Sequence, residues 1–79
     1  MRLDKYLKVS RLIKRRTVAN EACDAGRVSI NGNPAKASTN VKVGDVIEIG
    51  FGNKTVKVEV TNVQENVKKD EAKDLFKYI

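Results

Sequence analysis

Histidine is absent from the 79 residues, and with it any imidazole base, proton shuttle or imidazole metal ligand. The single cysteine, Cys23, excludes an internal disulfide and a thiolate zinc site. Scarce cysteine agrees with a reducing compartment, and a cytoplasmic location is expected. No run of apolar residues is long enough to span a membrane. The start, Met1-Arg2-Leu3-Asp4-Lys5, carries charge where a signal peptide needs apolar residues. No Gly-rich phosphate-cradling loop occurs, and Asp4, Asp45 and Asp70 are isolated from one another. The expectation is a protein that is not an enzyme and uses no cofactor and no metal. What remains is 41% hydrophobic, enough for one small folded domain. A domain of this size buries only roughly 60–65% of its unfolded surface.

Acidic residues are missing chiefly from one place. Residues 1–20 hold Arg2, Lys5, Lys8, Arg11, Lys14, Arg15 and Arg16 against Asp4 alone, which accounts for the whole net charge of +6. Residues 21–79 hold nine basic and nine acidic residues and sum to zero. Such asymmetry predicts one electropositive face on a neutral scaffold, and hence a polyanionic partner. The arginine content favours nucleic acid, because guanidinium forks across phosphates and stacks on bases.

Leu3, Tyr6 and Leu7 fall at i, i+3 and i+4, predicting a short helix over residues 3–9 with Asp4 in its first turn. Ser10 to Arg16 is a basic connector with an apolar tether, Leu12-Ile13. A second helix is expected over 18–25, with Thr17 as N-cap, Val18, Ala22 and Ala25 on one face with Ala19 and Cys23 beside it, and Gly26 as its stop. Arg15 and Arg16 would then precede its N-terminus, where backbone N–H groups also favour a phosphate oxygen. From residue 27 the period becomes two. Val28 and Ile30 lead into Asn31-Gly32, a strong hairpin signal, and Pro34 suits an edge strand. Val46–Ile49 and the alternating Val56, Val58 and Val60 predict two more strands around a Gly50–Asn53 turn. Ala72, Leu75, Phe76 and Ile79 return to helical spacing, predicting a helix over 68–79. The fold class is α+β: two short N-terminal helices packed on a small, mostly antiparallel sheet, with a C-terminal helix.

The ordered set Arg2-Leu3-Asp4-Lys5-Tyr6-Leu7, the basic connector, Ala25-Gly26-Arg27-Val28, Ser29-Ile30-Asn31-Gly32 and Val41-Lys42-Val43-Gly44-Asp45-Val46-Ile47 resembles the S-four RNA-binding domain over residues 1–62. Residues 63–79 would be a C-terminal helical extension. Lys8-Val9-Ser10-Arg11-Leu12-Ile13-Lys14-Arg15-Arg16-Thr17 and Asn33-Pro34-Ala35-Lys36-Ala37-Ser38 look most like the stand-alone members of the heat-shock-protein-fifteen group, the RqcP branch in particular. That resemblance implies binding to obstructed large ribosomal subunits with peptidyl-tRNA, through large-subunit rRNA and the tRNA. It also implies assistance to an RqcH-type factor during template-free alanine tailing. By motif, the family's important arginines fall on Arg2 and Arg16. The long basic C-terminal extension of the heat-shock members is not matched.

The expected RNA-binding residues are Arg2, Lys8, Arg11, Lys14, Arg15 and Arg16, extended by Arg27 and Lys36. Asp4 is expected to be structural, as a helix-start charge or a partner to a nearby arginine. Tyr6 and Cys23 are expected in the core, and Phe76 and Tyr78 as docking residues of the last helix. The chain is expected to act as a monomer without a membrane. A ribosome-assembly or tRNA-binding factor, or a protein-interaction adaptor with a basic edge, would carry the same charge pattern.

Overall fold

The computed structural model describes the backbone of residues 1–79 and every side chain except that of Lys69. Helices α1 (Leu3–Val9) and α2 (Arg16–Asp24) lead into β1 (Val28–Ile30), β2 (Asn33–Pro34), β3 (Val46–Phe51) and β4 (Lys54–Val60). A 3₁₀ helix (Lys69–Leu75) and β5 (Phe76–Tyr78) complete the chain. Every strand pairing is antiparallel, and the sheet order is β2-β1-β3-β4-β5. Among the described residues, no helix is long and apolar enough to cross a membrane.

Helix α1 buries Leu3, Tyr6 and Leu7, the stripe its spacing predicted. No side chain caps it. Its first N–H groups are taken by backbone instead: Leu3 donates to the Thr39 carbonyl at 2.8 Å and Asp4 to that of Ala37 at 3.1 Å. Arg2 bridges to Asn40, so the amino-terminal residues are fixed against segment 37–40.

Helix α2 begins at Arg16, not at residue 18, and Arg15 rather than Thr17 is the N-cap. A tertiary interaction decides this start. Arg16 and Asn20, one turn apart on the helix, both reach Asp4 of α1, which requires Arg16 to be inside α2. The buried stripe also differs from the expected one. Ala19 and Cys23 face α1, while Val18 is 46% exposed. Two small residues at i and i+4 let the helix axes approach closely, and the larger Val18 is turned away. At the other end Gly26, with φ of 74°, donates to Cys23 and Arg27 donates to Ala22, the paired bonds of a Schellman stop.

Asn31 and Gly32 both have positive φ, 53° and 85°, as a two-residue hairpin turn requires. Pro34 lies on the edge strand β2, where no partner needs its missing N–H. In β3 and β4, Ile47, Ile49, Val58 and Val60 are buried, and Glu48 and Lys57 pair across the opposite face at 3.6 Å.

The C-terminal helix expected over residues 68–79 is not continuous. Ala72 and Leu75 are buried three residues apart, a spacing that a 3₁₀ helix aligns on one side. At Phe76 the backbone becomes extended and pairs with Val60, adding β5 beside β4. Phe76 packs on the core, but Tyr78 is 70% exposed and meets Phe76 edge-on at 5.3 Å.

Tyr6 ties the two ends of the fold together. Its hydroxyl donates to the Leu75 carbonyl at 2.7 Å across 69 residues of sequence. The same carbonyl also accepts from the Thr61 N–H at 2.9 Å, so it keeps a partner when the hydroxyl is removed. Tyr6→Phe is therefore expected to cost only about 1 kcal/mol in urea unfolding. An unchanged midpoint would show that this bond does not hold the C-terminal segment.

Candidate nucleic-acid interface

Asp4 is the organising residue of the basic face. Its side chain is only 3% exposed, yet it is surrounded by donors. Arg2 Nε lies 3.2 Å from Oδ1, Arg16 Nε 3.3 Å from Oδ2 and Asn20 Nδ2 3.4 Å from Oδ2. The Lys5 N–H donates to Oδ1 at 2.8 Å. Burial by itself raises the Asp4 carboxyl. Hydrogen bonds from Arg16, the Lys5 N–H and Asn20, with the charge of Arg16, outweigh it and hold the carboxyl below the usual 3.8. Asp4 is thus ionised at neutral pH and binds two guanidinium groups at once.

Two cations on one anion leave a surplus of positive charge. The arginine side chains remain 52% and 48% exposed, so each guanidinium is fixed by Asp4 and still open to solvent. A fixed, partly desolvated guanidinium is a better phosphate ligand than a free one, because less rotamer entropy is lost on binding. Arg2 also shares a shallow groove with Asn20, Lys36 and Ser38. Lys36 reaches it because buried Ala35 and Ala37 alternate with outward Lys36 and Ser38.

A second groove, of about 820 Å³, lies at the end of α1 and is lined by Lys8, Arg11 and Lys14. Lys8 is four residues from Asp4 and so on the same side of α1, one turn along. Arg11 sits there in left-handed backbone, with φ of 62°. For a residue with a Cβ this conformation costs roughly 1–2 kcal/mol. Arg11→Gly is expected to raise stability by about 0.5–1 kcal/mol, since glycine adopts this φ freely but loses more chain entropy. The same change should weaken RNA binding about threefold by removing one cation. A variant that lost stability would place the Arg11 side chain in the fold and not in binding.

The structure therefore brings Arg2, Arg16 and Asn20 together on Asp4, sets Lys36 in the groove that Arg2 and Asn20 share with Asp24, and gathers Lys8, Arg11 and Lys14 around the second groove. Arg15 is exposed at the N-cap of α2, beside Arg16. Arg27 is not brought into either group. It lies past the far end of the nine-residue α2, about 13 Å along the axis, and lines a groove with Val18 and Phe51. Lys5 is drawn aside by Glu65 at 3.6 Å. Sequence reasoning missed Asn20, which the i, i+4 spacing from Arg16 could have suggested. Burial pushes the Cys23 thiol up to about 11, helped by the charges of Asp4 and Asp24, so it is a protonated core side chain.

The S4 domain model matches residues 1–47. An RQC P-site tRNA stabilizing factor of Halalkalibacterium halodurans is 63% identical over 76 residues, covering 96% of this chain and 86% of its own. The chain belongs to the S4-domain family, among the RQC P-site tRNA stabilizing factors. The protein of that name in Bacillus subtilis is 58% identical, over 96% of this chain and 88% of its own. This S4 domain also resembles a solved structure, trimeric heat shock protein 15 of Vibrio cholerae, with a TM-score of 0.92 and 29% identity. That likeness covers 100% of this chain and 81% of the other. It runs beyond the S4 match at residue 47, so β4, the 3₁₀ helix and β5 belong to the shared architecture.

Proposed function

We propose that this chain acts in ribosome-associated quality control in the cytoplasm, binding large ribosomal subunits obstructed by peptidyl-tRNA. Its basic face holds the P-site tRNA and neighbouring large-subunit rRNA, and so keeps the subunit competent for an RqcH-type factor that adds alanine tails. The observation that carries this function is the pair Arg2 and Arg16, each about half exposed and fixed on buried Asp4. The 63% identity to a protein named for P-site tRNA stabilization supports the choice of RNA. The chemistry is binding, not turnover. Phosphates are gripped without base sequence, and a rigid cationic surface selects by the shape of the folded RNA. The acting species is one copy of the chain.

The test is sedimentation with purified large subunits. The protein should pellet with subunits that carry peptidyl-tRNA and largely stay in solution when the tRNA has been released. Equal pelleting with both would point to rRNA alone and to ribosome assembly. Complexes that survive RNase would point to a protein-binding adaptor. In a reconstituted tailing reaction, adding the chain should lengthen alanine tails. On isolated tRNA, the slope of log affinity against log salt should report about four to six neutralised phosphates.

A further inference from the structure

The groove at the end of α1 has two walls, and they come from opposite ends of the chain. Lys8, Arg11 and Lys14 form one wall. Segment 65–68 forms the other, with Glu65 and Lys68 on the same cavity. Lys68 belongs to the electrically neutral part of the sequence, where nothing local distinguishes it from other lysines. Only the folded chain sets it on one cavity with the basic connector.

This second wall is held in place. Val67 packs against the hydrophobic core, and Lys5 on α1 bridges to Glu65 at 3.6 Å. The Lys68 carbonyl accepts the Glu71 N–H at 2.9 Å at the start of the 3₁₀ helix. Lys8, Arg11, Lys14 and Lys68 take part in no ion pair among the described side chains. Four unpaired cations around one groove, against the single carboxylate of Glu65, repel one another until an anion enters. Arg11 meanwhile stands in unfavourable backbone at the groove edge.

We infer that segment 65–68 is a second RNA-binding element, in which Lys68 takes a backbone phosphate from the side opposite Arg11 and a single strand or loop of RNA lies between the two walls. A single strand or loop can enter a groove between two segments of a molecule only 28 × 25 × 23 Å across more fully than a duplex of comparable width can. Glu65 opposes the phosphates and moderates the grip. The inference rests on the RNA binding proposed above and adds the path of the strand and the residues that guide it.

The experiment measures binding of labelled oligouridine, of an RNA duplex and of tRNA by fluorescence anisotropy. Lys68→Gln is compared with Lys54→Gln, which removes the same charge from the β3–β4 hairpin. Lys68→Gln should weaken oligouridine binding about five- to tenfold and lower the salt slope by about 0.7, whereas Lys54→Gln should cost less than about twofold. Glu65→Gln should tighten oligouridine binding about two- to threefold. If Lys68→Gln behaves like Lys54→Gln while Arg16→Ala still weakens tRNA binding, the second wall is refuted and RNA binding stands. If Lys68→Gln weakens duplex and single strand equally, the single-strand path is refuted. If neither Lys68→Gln nor Arg16→Ala alters binding to any of the RNAs, RNA binding by this face is refuted as well.

Discussion

Arg16→Ala is expected to lower affinity for tRNA about tenfold, and Arg2→Ala with Arg16→Ala about a hundredfold, because a charge-assisted hydrogen bond contributes roughly 1.5–3 kcal/mol. The protein with Arg16→Ala alone should remain folded, since Asp4 keeps Arg2, Asn20 and the Lys5 N–H as partners. The double variant should also lose stability, as the buried carboxylate then retains only neutral donors. Titration of labelled tRNA gives the affinities, and urea unfolding separates binding from folding. Large subunits carrying peptidyl-tRNA should release the Arg16→Ala protein during sedimentation. A variant that binds tRNA and pellets as well as the parent would remove Arg16 from the interface.

Asp4→Asn should weaken tRNA binding about five- to tenfold although it adds positive charge to a protein already at +6. A purely electrostatic surface would respond the other way, because deleting a carboxylate among phosphate ligands strengthens attraction to any polyanion. The expected loss arises because Arg2 and Arg16 are no longer fixed and must be ordered by the RNA. Binding to heparin, which needs no preorganised geometry, should be unchanged or tighter. Stability should fall by about 1–2 kcal/mol; the half-exposed guanidiniums are screened, which keeps the figure modest.

The pH dependence follows from the same carboxyl. Its value in the folded protein is below the usual 3.8, so its contribution is fully present above that value and lost as pH falls through the folded one. The parent should therefore lose stability below about pH 4 in a step that Asp4→Asn lacks. Identical acid unfolding of the two proteins, followed by circular dichroism, would show that Asp4 is not an ion-pair centre.

Much of the fold was legible because its signals are local. Leu3, Tyr6 and Leu7 mark a helix whatever they pack on, and Asn31-Gly32 makes a hairpin turn because only such residues tolerate two positive φ angles in succession. Gly26 ends α2 for the same reason. The errors fell where distant groups decide. Helical spacing at Ala72, Leu75, Phe76 and Ile79 was outweighed by the free edge of β4, which takes Phe76–Tyr78 as a fifth strand. Thr17 had the chemistry of a cap, but the reach of Arg16 to Asp4 set the helix start.

For the interface the division is similar. Amino-acid order alone determined that a neutral scaffold carries its surplus charge in the first twenty residues, and that this charge is rich in arginine. Which cations act together was settled only by the tertiary structure. Asp4 gathers Arg2 and Arg16 from two elements, while Arg27 is left at the far end of α2. Lys68 joins Lys8, Arg11 and Lys14 from some fifty residues away. Net charge is a sum over composition and survives any folding. The distances between charges depend on how the chain closes on itself, and they decide whether cations act singly or as one site.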